Sequence, residues 1–352
     1  MNTAAPRLRI AMISNYLPSG SKIGVGYQVH ALANALVDRG HDLTVFSSCG
    51  PPDGARYSTK TVPLDGANRT FKFAWRLRQV DWTPFDVLHA HGDDYWLWRR
   101  RVPVHVRTMH GSCLSEARWV RGTRDRLRML LLGLSEVLAS LIADRTVAVS
   151  ENTRRWLPWV RAVVPNGVDL TRFHGRERSP TPSLLFVGTY LNRKRGKLLV
   201  EVFEREVLPA CPDAELWMVC EDAPARARVK VLGRVSDTDL AELYGRAWAF
   251  CLPSTYEGFG IPYIEAMASE CPVIATPNQG AVEVTRNGQL GVIVEDKALG
   301  RAIVRLLVSS DERARLAQEA LKSVSRYDLR AVAAAYEAIY LQLGHRRGAH
   351  NR

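Results

Sequence analysis

The chain has 352 residues, 46% of them hydrophobic, which suits two packed domains and excludes a disordered or fibrous chain, and no run of about 18 apolar residues is present to cross a membrane. The formal net charge is +12, yet no nucleic-acid-binding module is readable, so beyond general arginine usage the reading left open is attraction to an anionic membrane surface. The six cysteines, Cys49, Cys113, Cys211, Cys220, Cys251 and Cys271, are scattered without a CxxC pair, which argues against a disulfide framework and predicts reduced core thiols in a cytoplasmic protein.

Met1–Arg9 holds no signal-peptide core and leads directly into a strand, Leu8–Ser14. The loop Asn15–Gly26 carries Gly20, Gly24 and Gly26. Val29, Ala33, Leu36 and Val37 then give Tyr27–Arg39 helical spacing, which Gly40 stops. With the strand Leu43–Phe46 this is a βαβ opening, although its glycine spacing is not the dinucleotide fingerprint. Gly50–Gly66 reads as irregular. Arg69–Trp82 sets Arg69, Lys72, Arg76 and Arg78 beside Phe71, Phe73, Trp75 and Trp82, which predicts a helix with a basic and an apolar side. Asp86–His91 and Val104–Met109 read as strands. His89 and His91 alternate with apolar residues and lack further zinc ligands, so they and His105 are read as structural. His110, followed by Gly111, ends a strand at the sheet's carboxyl edge, where a side chain can face a ligand. Arg118, Arg121, Arg124, Arg126 and Arg128 lead into an apolar run to Ala143. A buried helix with a charged beginning is the favoured reading, and contact with an anionic membrane the other. Asp144–Val149 is a strand, and Ser150-Glu151-Asn152 caps a short helix.

Arg161–Asp169 closes the first half, and the polar stretch from Arg172 to Pro182 reads as a linker. Ser183–Gly188 opens a second alternation of strands and helices. Thr189–Lys197 brings Arg193, Lys194, Arg195 and Lys197 to that strand's carboxyl end, where cations suit a diphosphate. Leu198–Leu208 reads as a helix, Glu215–Cys220 and Val229–Leu232 as strands, Gly233-Arg234-Val235-Ser236 as a turn, and Asp237–Arg246 as a helix. Ala247–Leu252 is a buried strand that Pro253-Ser254-Thr255 ends. Gly258-Phe259-Gly260 forms a tight loop, Pro262 suits the first turn of a helix, and Pro272 ends that helix before a strand, Pro272–Ala275. Free N–H groups at this helix start favour an anion such as a diphosphate. Glu257 in the loop and Glu265 in the first turn or so of the helix flank that place. A carboxylate repels phosphate, so both are read as acceptors for sugar hydroxyls on either side of a diphosphate, which means a nucleotide-sugar. Gln279–Ala281 and Glu283 precede a Gly288/Gly291 hairpin, helices fill Lys297–Tyr327, and Leu329–Leu343 is the last helix before a frayed basic tail.

Residues 253–275 resemble the donor motif of the retaining GT-B glycosyltransferases of glycosyltransferase family four (glycosyl transferases group 1). The resemblance runs through Pro253-Ser254, Glu257-Gly258-Phe259-Gly260-Ile261-Pro262, Glu265-Ala266-Met267-Ala268 and Pro272-Val273-Ile274-Ala275. Asp86–His91 and Pro165–Asp169, with Phe173, are similar to the family too. The resemblance covers nearly the whole chain, and its specificity is concentrated in residues 160–285. It implies an α/β GT-B fold of two Rossmann-like domains facing a central cleft. The expected division is 1–170 as the acceptor domain, 171–182 as linker, 183–328 as the donor domain, 329–345 as a helix returning to the first domain, and 346–352 as a basic tail.

The resemblance also implies transfer of a sugar from a nucleotide-diphosphate-sugar, as co-substrate, to a hydroxyl of a glycan, lipid or small natural product, with retained configuration and no metal or other cofactor. It places Glu257 beside the donor sugar, Glu265 on the ribose hydroxyls and His110 on the donor sugar. Gly258, Phe259 and Gly260 line the diphosphate. Gly24 and Gly26 hold acceptor and donor phosphate, although Ile23-Gly24-Val25-Gly26 departs from the family's Gly-Gly form. The family sets a basic residue just after the glycine at 188 and a lysine before the later glycine; here Thr189 and Arg195 stand there. Arg193 and Arg195 are expected to take over that duty with Lys194 beside them, and which of the three contacts the diphosphate is left open. Arg234 and Val235 fall in the loop that reads the nucleotide base through backbone groups. Two other readings stay open: a GT-B sugar-nucleotide epimerase, which needs no acceptor, and a non-catalytic partner subunit, against which the intact glutamate pair argues. The expected location is cytoplasmic, with contact at the inner membrane face open and nucleic acid excluded as a partner.

Overall fold

A computed structural model describes residues 6–21, 23–66, 69–97, 104–118, 120 and 122–350, without the side chains of 347–350. Its contacts divide the chain into two compact units: Met1–Gly167 with Leu329–Arg352, and Val168–Asp328.

The first unit is built on a parallel sheet of β1 (Arg9–Ile13), β2 (Asp42–Ser47), β3 (Ser58–Thr61), β4 (Val87–Ala90), β5 (His105–Met109), β6 (Arg145–Ala148) and β7 (Ala162–Val163), in the order β3-β2-β1-β4-β5-β6-β7. Strand β1 shows why its sequence is almost continuously apolar. Ile10 and Met12 pack on one face with Val29, Leu32 and Leu36 of α1 (Gly24–Asp38). Ala11 and Ile13 pack on the other with Phe73 and Leu77 of α2 (Arg69–Leu77). A parallel sheet covered on both faces needs apolar residues in both registers. Strand β3 lies in the stretch read as irregular; it is an all-polar edge strand, Ser-Thr-Lys-Thr, pairing Thr44 with Ser58. Short helices α3 (Cys113–Glu116) and α5 (Glu151–Arg154) flank the long α4 (Thr123–Ile142). The expectation of a buried α4 is corrected: Leu132, Gly133, Ala139 and Ser140 are buried, while the opposite face leaves a row of leucines exposed. Arg121 lies outside the described residues.

The C-terminal helix, Leu329–His350, belongs to this unit and runs past Gly344. Its Glu337 carboxylate receives Arg39 and His41, its Tyr336 hydroxyl meets Thr108 at 2.8 Å, and its Tyr340 hydroxyl meets His89 Nδ1 at 2.6 Å.

The second unit repeats the plan with β8 (Ser183–Val187), β9 (Glu215–Val219), β10 (Val229–Val231), β11 (Ala249–Leu252), β12 (Val273–Ala275) and β13 (Val292–Ile293), all parallel, in the order β10-β9-β8-β11-β12-β13. Its helices are α6 (Gly196–Val202), which continues through a π-helical turn into α7 (Leu208–Ala210), then α8 (Asp237–Arg246), α9 (Ile261–Ala268), α10 (Gln279–Val284), α11 (Leu299–Val308) and α12 (Ser310–Val324); the C-terminal helix is α13. The stretch from 171 to 182 is packed into this unit, where the Arg178 guanidinium donates to the carbonyls of Gly245 and Ala247 at 2.8 Å. The expected hairpin at Gly288/Gly291 is not formed. Gly288 turns the chain at φ 84°, and Val292–Ile293 joins β12 as a parallel strand instead. Among the described residues, no helix is long and apolar enough to cross a membrane.

Candidate active site

In each sheet the strand order reverses once, between β1 and β4 and between β8 and β11. Loops leaving the carboxyl ends of strands at such a reversal diverge and open a crevice, the usual ligand place of open α/β sheets. In the second unit the two loops are 188–195, after β8, and 253–260, after β11.

The first loop is tightly wound. Gly188 has Lys194 Cβ and Cγ against it, and Asn192 and Arg195 both adopt left-handed backbone (φ 63° and 57°), a conformation side chains disfavour and functional loops often retain. The Arg193 carbonyl accepts the Thr255 N–H at 2.9 Å, which ties this loop to the second. The winding sends the three cations apart. Lys194 Nζ lies 2.8 Å from Glu257 Oε1. Arg195 pairs with Asp296, and the Arg193 guanidinium donates to the Tyr256 carbonyl at 3.4 Å.

Glu257 is buried, and its Oε1 also receives the Ser254 hydroxyl at 2.6 Å. Its carbonyl accepts the Gly280 N–H. A Cβ at 280 would stand 2.9 Å from Glu257 Cβ, the Glu257 carbonyl and the Phe259 carbonyl, so only glycine allows this approach. Gly260 opens α9 in left-handed backbone (φ 94°) and Pro262 follows in its first turn. Phe259 is buried edge-on to Tyr327, with Gly258 beside it. Asn278 holds the whole turn. Its amide donates to the Ser254 carbonyl and the Tyr263 hydroxyl, and its Oδ1 caps α10 by accepting the Ala281 N–H at 2.9 Å.

Glu265 is the fifth residue of α9, where its first turn passes into the second. Burial pushes its carboxyl up to about 7, against the neighbouring Tyr244 hydroxyl and the nearby positive charge of Lys194. Burial, reinforced by the negative field of Glu265, raises Tyr244 well above its ordinary range. Lys194 therefore stands in the field of both glutamates. Arg234 and Val235 lie in the turn between β10 and α8, just ahead of Ser236, whose hydroxyl caps α8.

In the first unit, Gly24 and Gly26 form the first turn of α1. A Cβ on Gly26 would lie within 3.0 Å of the Tyr16 carbonyl group and Leu17 Cα, whereas Gly24 faces open space. His110 Nε2 is 2.9 Å from His91 Nδ1, and the two rings stack. Burial holds His110 down to about 4, partly offset by a hydrogen bond to Asn166, so the imidazole is neutral at pH 7. His89 sits between Tyr340 and Thr108. The sequence placed Ser254 in the motif without showing its contact with Glu257, placed neither Asn278 nor Tyr244 near the glutamates, and gave His91 no link to His110. Asn278 alone carried a local signal, an asparagine ahead of a short helix.

Two doubly wound parallel units, the second with a cation and two glutamates at its strand-order reversal, define a GT-B glycosyltransferase. Residues 181–309 match the family model Glycosyl transferases group 1, and residues 23–172 match Glycosyltransferase Family 4; the chain belongs to that family. The chain is 27% identical to phosphatidyl-myo-inositol mannosyltransferase of Mycobacterium tuberculosis, over 95% of this chain and 96% of that protein. It is 27% identical to glycogen synthase of the same organism, over 95% and 94%. The fold is shared with sucrose-phosphate synthase of Thermosynechococcus elongatus, with a TM-score of 0.78 and 22% identity over 96% of this chain and 99% of that one.

Proposed function

We propose that this glycosyltransferase moves a sugar from a nucleoside-diphosphate-sugar to a hydroxyl acceptor with retained configuration, and that Lys194, Glu257 and Glu265 grip the donor. The observation that carries this reading is the Lys194–Glu257 pair, contributed by two loops at the second sheet's reversal. Among the described residues, Lys194 and Ser254 both contact Oε1 of the Glu257 carboxylate, and Oε2 is the oxygen we assign to a hydroxyl of the donor sugar. Glu265 accepts the ribose hydroxyls. As the bond from sugar C1 to phosphate oxygen breaks, negative charge grows on the diphosphate. Lys194, Arg193 and the backbone amides around Gly258, Phe259 and Gly260 stabilise that charge more than they stabilise the ground state. The leaving phosphate then takes the acceptor proton while the acceptor oxygen bonds to C1 on the same face. The roles of His110, Gly24 and Gly26 toward donor sugar and phosphate, of Arg195 toward the diphosphate, and of Arg234 and Val235 toward the base are proposed on the family resemblance. The test is a screen of nucleotide-sugars for slow hydrolysis by the purified chain, followed by proton NMR of the first-formed anomer. The donor's own anomer is expected, and an inverted first product overturns retention.

A further inference from the structure

Helix α4 is apolar on both sides. Its inner side packs on the first unit, with Gly133 admitting Leu114 so closely that a Cβ there would stand 2.5 Å from it. Its outer side presents Leu127, Leu130, Leu131, Leu134, Leu138 and Leu141, each 40–62% exposed. Their spacing of three and four residues makes one continuous stripe, and exposed apolar stripes of this length mark a binding surface. The stripe begins among Arg124, Arg126 and Arg128, in the first turns of the helix. Cations there oppose the helix dipole, so they do not serve the helix's own stability.

Helix α2 extends the surface. Its Phe71 and Ala74 share a hydrophobic cluster with Met129 and Leu132 of α4. It adds Trp75, 55% exposed, and a groove of about 470 Å³ between Phe71, Trp75 and Trp96, edged by Lys72 and Arg76. Leucines, an exposed tryptophan and flanking cations are the make-up of a surface that lies in a headgroup layer.

We propose that the face formed by α4 and α2 docks on an anionic lipid bilayer, the leucine stripe entering the headgroup–acyl boundary and the arginines meeting lipid phosphates. Charge decides between a bilayer and a second copy of the chain. Beyond Arg128 the one carboxylate of α4 is Glu136, and it is turned inward to accept the Cys113 N–H at 2.9 Å. Two α4 helices paired antiparallel would leave each set of arginines without an acidic partner. An anionic bilayer supplies one for every arginine.

The test is flotation of the full chain with phosphatidylcholine vesicles, with and without phosphatidylglycerol, at low and high salt. Binding is expected only with phosphatidylglycerol, and high salt should release it. The Arg124→Glu/Arg126→Glu/Arg128→Glu variant should bind roughly a hundredfold more weakly, at about fivefold per arginine. The Leu130→Ser/Leu134→Ser/Leu138→Ser variant should lose binding and keep its melting temperature, because those side chains face outward. Both variants should hydrolyse donor at the wild-type rate, which separates this inference from the donor-site reading. Absence of wild-type binding, equal binding to neutral vesicles, or a wild-type dimer that the leucine variant dissociates would each overturn it. If a variant fails to fold, the lipid and salt comparison on the wild type decides alone.

Discussion

Lys194 Nζ and Glu257 Oε1, 2.8 Å apart, join the two loops that leave the second sheet on either side of its reversal. Both side chains are largely withdrawn from water, so removing one strands the other. Lys194→Ala should cost about 2 kcal/mol of stability or more, somewhat below the 3–5 of a fully buried pair. The neutral pair Lys194→Met/Glu257→Gln should recover most of that loss. Urea unfolding of the three proteins checks this, and a double variant that loses as much as Lys194→Ala or more would mean the pair is not coupled.

Glu265 gives the site a pH dependence with a definite sign. Burial raises its carboxyl to about 7, so the folded chain binds a proton more tightly than the unfolded chain. The stability from that group is complete below the ordinary carboxylate range and is lost as pH rises through about 7. Ligand binding runs the other way, because ribose hydroxyls need the ionised form. Nucleoside diphosphate affinity should rise between about pH 6 and pH 8, and Glu265→Gln should remove the rise. Titration calorimetry at both pH values reads the result directly.

The histidines of the first unit predict acid sensitivity. Burial lowers His110 to about 4 and His89 to about 3, and His91 moves in the same direction. Depressed bases contribute stability that is complete above their ordinary value and is lost as pH falls toward the folded one. Melting temperature should therefore drop as pH goes from about 6.5 toward 4. His89→Gln, which cannot take up a proton, should flatten the drop at some cost in stability at neutral pH. Thermal melts followed by circular dichroism across that range test it.

Gly280 and Gly344 should respond oppositely to alanine. At 280 the new Cβ meets Glu257 and the Phe259 carbonyl, so Gly280→Ala should cost about 1–3 kcal/mol and lower donor turnover by displacing Glu257. At 344, inside α13 with open space around it, alanine should stabilise by about 0.5–1 kcal/mol. Unfolding curves of the two variants separate these outcomes.

The donor motif was legible because its chemistry is local: Glu257, Gly260, Pro262 and Glu265 fall within nine residues, and glycine and proline fix the loop that carries them. Apolar runs gave most strands. Strand β3 escaped because an edge strand of Ser-Thr-Lys-Thr has no apolar alternation to show. The hairpin at Gly288 was misread because a turn glycine does not say whether the next strand pairs with its neighbour or with a distant one. The outer leucines of α4 were read as core because an apolar run does not reveal which side the fold covers. Lys194 could not be told from Arg193 and Arg195, since left-handed backbone at Asn192 and Arg195 decides where each side chain points. Asn278, 24 residues from the carbonyl it holds at Ser254, is joined to it only by tertiary structure.

The most direct measurement is the rate of sugar–phosphate cleavage with saturating nucleotide-sugar and no acceptor, comparing the wild type with Lys194→Met. Stabilisation of the departing diphosphate by Lys194 predicts a fall of about 10²–10³-fold in that rate, with donor affinity changed by less than about tenfold. A Lys194→Met enzyme that cleaves the donor at the wild-type rate would contradict the role given to Lys194 beside Glu257.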